Sequence, residues 1–150
     1  MLLLRTLKYS GVLLTSALFC PAANAVIAVN VALSGVVGFS IVPGVDVVRQ
    51  TVATATLDAS GQASYDVSLT DNTGGILDNG LGNSFGYSIS YNNQAEVTLS
   101  AVPTVVENVV GAAPVVAAAR SIAVTVAGAS VVGLPAGAYS ATITVTITGY

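Results

Sequence analysis

Beyond residue 25 the chain holds no histidine and no cysteine, so the usual general bases and thiolate nucleophiles are missing from nearly all of it. The serines stand without a base partner, and no nucleophile elbow is expected among them. Asp71, Asp78 and Asn79 fall in the glycine-rich run DNTGGILDNGLGNS and could be read as calcium ligands. Their spacing is not that of an EF-hand loop, and Asp, Asn and Gly together are ordinary turn chemistry. We read them, and Asp58, as turn residues. Tyr87 and Tyr91 could stack on a sugar, but their period-2 spacing with Phe85 and Ile89 places them in a core. Arg49 and Arg120 are too far apart in sequence to define a site and read as solvated strand residues. No catalytic residue, metal ligand or cofactor is assigned, and an enzyme is not expected.

The elements that carry these residues begin after a leader. Residues 1–25 read as a secretory signal peptide. Arg5 and Lys8 form the positive start, Gly11 to Phe19 the apolar core, and Ala23-Asn24-Ala25 the small-x-small cleavage site. The apolar core is too short to span a bilayer. Phe19 precedes Cys20 where a lipidated cysteine needs a small residue, so lipidation is not expected. Cleavage would leave Arg49 and Arg120 against Asp46, Asp58, Asp66, Asp71, Asp78, Glu96 and Glu107. So few cations argue against nucleic acid as a partner and against a basic membrane-surface patch. An exported chain without a disulfide must be held by its core or by its neighbours.

The rest reads as about eight short strands with turns at regular spacing and no convincing helix, the pattern of an antiparallel sandwich in one domain. Pro43-Gly44 is a turn, Val47 to Leu57 a strand, and Asp58 to Gly61 a hairpin-type loop. Ala63, Tyr65, Val67 and Leu69 make the next apolar face, and 71–84 a long polar loop. Phe85 to Tyr91 forms a strand, Asn92-Asn93 a two-residue turn, and Ala95, Val97 and Leu99 the returning strand. The stretch 103–119 reads as an irregular connection with a short helix near 115–119. Ile122, Val124 and Val126 give another strand, and 133–137 a turn before the last one.

Both ends of the exported part are written as strands. Tyr139, Ala141, Ile143, Val145 and Ile147 alternate with Ser140, Thr142, Thr144, Thr146 and Thr148. Ile27, Val29, Val31 and Leu33 alternate with Ala28, Asn30, Ala32 and Ser34 directly after the cleavage site. Val26 to Gly44 is uncharged and has one flat apolar face, an aggregation hazard unless another molecule uses it. Alternation is also what any half-buried strand shows, and the plainer, less favoured reading is that both runs simply pair inside the sandwich.

Together the signal peptide, the N-terminal extension, the β content and the ending AGAYSATITVTITGY resemble a pilus subunit of the chaperone–usher family. In that family a glycine stands fourteen residues from the C-terminus and a tyrosine lies at or next to the end, as Gly137 and Tyr150 do here. The ending also resembles the archaic, spore-coat-U-like branch. That group carries a disulfide, whereas the cysteine-free alternative branch does not, and this chain has none after its leader.

The resemblance implies an all-β, immunoglobulin-like antiparallel sandwich over 35–150, incomplete by one strand. It makes 26–34 a donor-strand extension, with Ile27, Val29, Val31 and Leu33 entering a neighbour's groove. Gly137, Tyr139, Ala141, Ile143, Val145, Ile147 and Tyr150 then mark the groove-edge strand, where a chaperone would dock. The implied partners are further copies of the chain, a periplasmic chaperone and an outer-membrane usher. The implied place is the cell surface after export through the periplasm, with a role in adhesion and biofilm and a possible host or surface glycan as receptor. The competing reading is a secreted, non-polymerising sandwich that binds a surface glycan or matrix component; a hydrolase is a distant third.

Overall fold

The computed structural model describes residues 2–3, 30–35, 38–60, 62–111 and 115–150. Its strands in chain order are β1 (Leu2–Leu3), β2 (Asn30–Ser34), β3 (Ser40–Ile41), β4 (Val47–Asp58), β5 (Tyr65–Asp71) and β6 (Ile76–Asp78). β7 (Ser84–Gly86), β8 (Ser88–Tyr91), β9 (Thr104–Val109), β10 (Ala118–Val126) and β11 (Ile143–Gly149) follow, with a 3₁₀ turn at Gly128–Val131. Most of residues 1–25, read above as a signal peptide, together with Ile27 and Val29, lies outside the described residues.

Period-2 patterning decides the layers. Along β5, Tyr65, Val67, Leu69 and Asp71 are buried while Asp66, Ser68 and Thr70 are half-buried, as a strand with one face on a core requires. One sheet runs β2-β4-β10-β8 and the other β11-β5-β9, every pair antiparallel. In immunoglobulin lettering the first sheet is A-B-E-D, and β5 and β11 take the places of C and F. The chain is thus an all-β, immunoglobulin-like sandwich with open sheets. Among the described residues no strand occupies the G position beside β11. Val52, Leu57, Val67, Leu69, Ile89 and Val124 fill the space between the sheets.

The expected strands over Val47–Leu57, at Ile122–Val126 and at the C-terminus are present, and four local expectations are corrected. The Asp58 loop is no hairpin, because β4 and β5 belong to different sheets; the turn holds through Ser60 N donating to Asp58 Oδ1 at 3.0 Å. The stretch 71–84 is not all loop. Buried Leu77 and Phe85 face each other in a β6–β7 ribbon, too short for alternation to reveal. Asn92 and Asn93 do turn the chain, both at positive φ. The returning strand, however, reduces to one bridge between Ile89 and Val97. No helix forms near 115–119: Ala117 sits at φ 50° and β10 starts at Ala118. β9 is the strand missed within 103–119. It lines the far edge of β5 with a bulge near Val106, which blurs its alternation. β1 pairs with β3.

Candidate functional site

Of the strand expected over 139–148, β11 takes up only Ile143 onward, with a single bridge at Ser140 before it, but the side chains alternate along the whole stretch as expected. Tyr139, Ala141, Ile143 and Val145 are buried and Ile147 is half-buried, whereas Thr146 and Thr148 are exposed and Thr142 and Thr144 half-buried. Tyr139 is anchored at both ends, its ring 5.0 Å from that of Phe85 and its hydroxyl donating to the Pro135 carbonyl at 3.0 Å. Gly137 and Tyr150 are exposed, Tyr150 with its hydroxyl near Asp66 and Asn108.

The backbone of this strand is the more telling part. Ser64 and Tyr150 exchange both main-chain hydrogen bonds, at 3.2 and 3.0 Å. In an antiparallel ladder such pairs alternate, so Thr148, Thr146 and Thr144 also bond inward, to Asp66, Ser68 and Thr70. Ser140 does the same with Asp78 upstream. The N–H and C=O groups of Ile143, Val145, Ile147 and Gly149 therefore point away from β5, to the free side of the sheet. Ile143 and Val145, which fill the core, thus also present backbone groups at its rim that pair with no strand among the described residues. β11 has no charge, lysine or proline to blunt that edge.

β2 runs close to β11 at this rim of the sandwich but belongs to the other sheet. Val31 stands opposite Leu57 and Leu33 opposite Ala55 on β4. Both are half-buried against the core, while Ala32 and Ser34 are exposed. The alternation was read correctly, yet the structure holds 30–34 along the chain's own β4 rather than free. The sequence could not separate these two seats, since each uses the same face.

One polar cluster has no counterpart among the expectations drawn from the sequence. Arg120 is not solvated. Its side chain is 21 % exposed and grips Glu107, 11 % exposed, through Nε and Nη2, each at 2.9 Å. Tyr65 donates to the same carboxylate at 2.8 Å, and buried Tyr91 lies beside it. Burial pushes the Glu107 carboxyl up, but hydrogen bonds from Arg120 and Tyr65 outweigh it and hold the pKa below the ordinary range. Burial, reinforced by the Glu107 charge, raises both tyrosines, so they stay protonated. This cluster ties β5 and β9 of one sheet to β8 and β10 of the other. No local spacing announces it, because its members meet only across the sandwich. Arg49 is exposed, as expected, and pairs with Glu96 at 3.3 Å.

Asp71 is fully buried, and its carboxylate accepts from Thr73 N, Thr73 Oγ1, Gly75 N and Tyr87 Oη. Asp78 and Asn79 accept from backbone N–H groups of the 80–83 turn. Their oxygens serve the turns, which is the reading given to them above. Tyr87 and Tyr91 are buried in the core rather than offered to a sugar. The letters Gly82-Asn83-Ser84-Phe85-Gly86 do match the spacing of a nucleophile elbow. Ser84 nevertheless opens the short strand β7, with no helix behind it and no histidine in the chain, so it has neither the turn nor the base an elbow needs. The chain matches no protein-family model, and comparison with curated proteins and with solved structures finds no match either.

Proposed function

We propose that the chain is an exported structural subunit that polymerises head to tail, each copy lending a strand to the open edge of the next, to build a surface pilus. The observation that carries this reading is the outer rim of β11. Among the described residues no strand pairs with the uncharged backbone donors and acceptors of Ile143, Val145, Ile147 and Gly149, which lie beside the core that Ile143 and Val145 fill. A strand added there would gain a ladder and cover the rim, the mode known as β-augmentation. The donor is the run 26–34. Four apolar insertions by Ile27, Val29, Val31 and Leu33 gross roughly 6–12 kcal/mol before ordering costs, at ~1.5–3 kcal/mol per large side chain. A head-to-tail contact of this kind does not close on itself and gives a fibre.

An uncovered edge is an aggregation hazard before assembly, which is the reason to assign a periplasmic chaperone as first occupant and an outer-membrane usher as the exchange site. Adhesion and biofilm formation are the roles that such a fibre serves. The test is the ladder of heat-sensitive oligomers on a gel from cells that coexpress the chain with a chaperone and usher. Removing 26–34, or Val31→Arg, should abolish the ladder while circular dichroism still reports β structure, because one charge forced into an apolar pocket outweighs its neighbours' gain. A ladder that survives in the folded, truncated protein would overturn the donor assignment.

A further inference from the structure

We propose that the pairing of β2 with β4 is an autoinhibitory contact, holding the donor strand in its own subunit so that assembly must first peel it away. The inference rests on the polymerising reading above and adds its regulation. β2 has one apolar face, and Val31 and Leu33 already spend it on the subunit's own core. The same side chains cannot enter a neighbour's groove at the same time, so the two seats exclude each other. The cis seat is also a weak one. Among the described residues β2 is an edge strand with one ladder of five residues, and its two inward side chains are half-buried where their partners Leu57 and Ala55 are fully buried.

Release leaves the sandwich standing. β4 keeps its second ladder to β10, which runs from Val47 to Leu57 and does not involve β2. Gly35 follows β2 at φ 64°, a left-handed backbone position that glycine adopts without cost and at which the strand can swing away.

The test uses the exported chain from Val26, which has no cysteine of its own, with Ala32→Cys and Thr56→Cys combined. These positions are direct cross-strand partners, with Ala32 exposed and Thr56 half-buried. Antiparallel partners stand about 4.5–5.5 Å apart at Cα, within disulfide range. The oxidised protein should build no oligomer ladder, yet should still bind an added peptide of residues 26–34 at its own β11 rim. Reduction should restore the ladder, and the single Ala32→Cys variant should polymerise under both conditions. Equal ladders from the oxidised and reduced double variant would overturn the autoinhibition and leave the polymerising reading intact. Reduced protein that takes the peptide but builds no ladder would remove 30–34 as the donor and the inference with it. Failure of both forms to polymerise or to take the peptide would bring down the polymerising reading itself.

Discussion

Val145→Asp should damage the fold far more than Thr146→Asp, although the two residues are adjacent on one strand. Val145 is 9 % exposed and points into the core from the open edge strand, opposite Leu69. Removing it forfeits most of the ~1.5–3 kcal/mol that burying such a side chain contributes. The new carboxylate adds a penalty of several kcal/mol unless the strand shifts to reach water, since the cations among the described residues, Arg49 and Arg120, are already paired with Glu96 and Glu107. A net loss of about 4 kcal/mol is a large share of the roughly 5–15 kcal/mol that holds a domain together. With a urea slope of about 2 kcal/mol/M, the denaturation midpoint should fall by about 2 M. Thr146 is exposed opposite half-buried Ser68, and Asp there should stay within about 0.5 kcal/mol of the parent. The assay is urea unfolding of the two variants and the parent, followed by tyrosine fluorescence. Equal shifts in the two variants would show that the faces of β11 have been assigned wrongly, and the outward backbone at the odd positions would lose its basis.

The cross-sheet cluster predicts an acid-sensitive contribution to stability. Because the folded pKa of Glu107 lies below its unfolded value, its contribution is present above about pH 4.3 and fades as pH falls through the lower folded value. Glu107→Gln should flatten the stability–pH curve in that acid range, a slope measurable by thermal melts between pH 2 and 6, and an unchanged slope would refute the assignment. Arg120→Met leaves that carboxylate half-buried without its cation and should cost about 2–3 kcal/mol by urea unfolding. Tyr87→Phe removes one donor from the buried Asp71 carboxylate and should cost about 1–2 kcal/mol, with no change in β content by circular dichroism. Gly128→Ala would drive a Cβ into the backbone of Val45 and break the hydrogen bonds from Gly44 N at 2.9 Å and to Asp46 Oδ1 at 2.7 Å. Its melting temperature should drop by several degrees, by the usual scaling of about 2–8 °C per kcal/mol.

The strands that could be read from the sequence are those with one buried face and an unbroken period. β5, β10 and β11 qualify because Tyr65, Val67 and Leu69, then Ile122 and Val124, then Ile143 and Val145 all face the same core. β9 escaped because its bulge shifts the phase midway and Pro103 precedes it. The β6–β7 ribbon escaped because three residues are too few to show a period. Arg120 looked solvated because charge on a strand usually is, and only the stacking of two sheets brings it to Glu107. At the candidate site, alternation revealed which side chains of 139–147 are core. The direction of their backbone groups depends on register with β5, fixed by the Ser64–Tyr150 pair and carrying no local signature. The cis seat of 30–34 was equally out of reach, since the apolar face of Val31 and Leu33 fits either partner.

Amide hydrogen exchange along β11, resolved by residue with NMR, tests the central claim most directly. The account makes two classes of amide on one strand. Those of Thr144, Thr146 and Thr148 donate to β5, while those of Ile143, Val145 and Ile147 face the open rim. In the isolated subunit the threonine amides should exchange slowly and the Ile143, Val145 and Ile147 amides fast. Addition of a peptide of residues 26–34 should slow that second set by at least about tenfold and leave the first unchanged, as a new ladder protects only the groups it pairs. Uniform protection along the strand without peptide, or a rim set unmoved by saturating peptide, would contradict the claim that β11 is an acceptor edge.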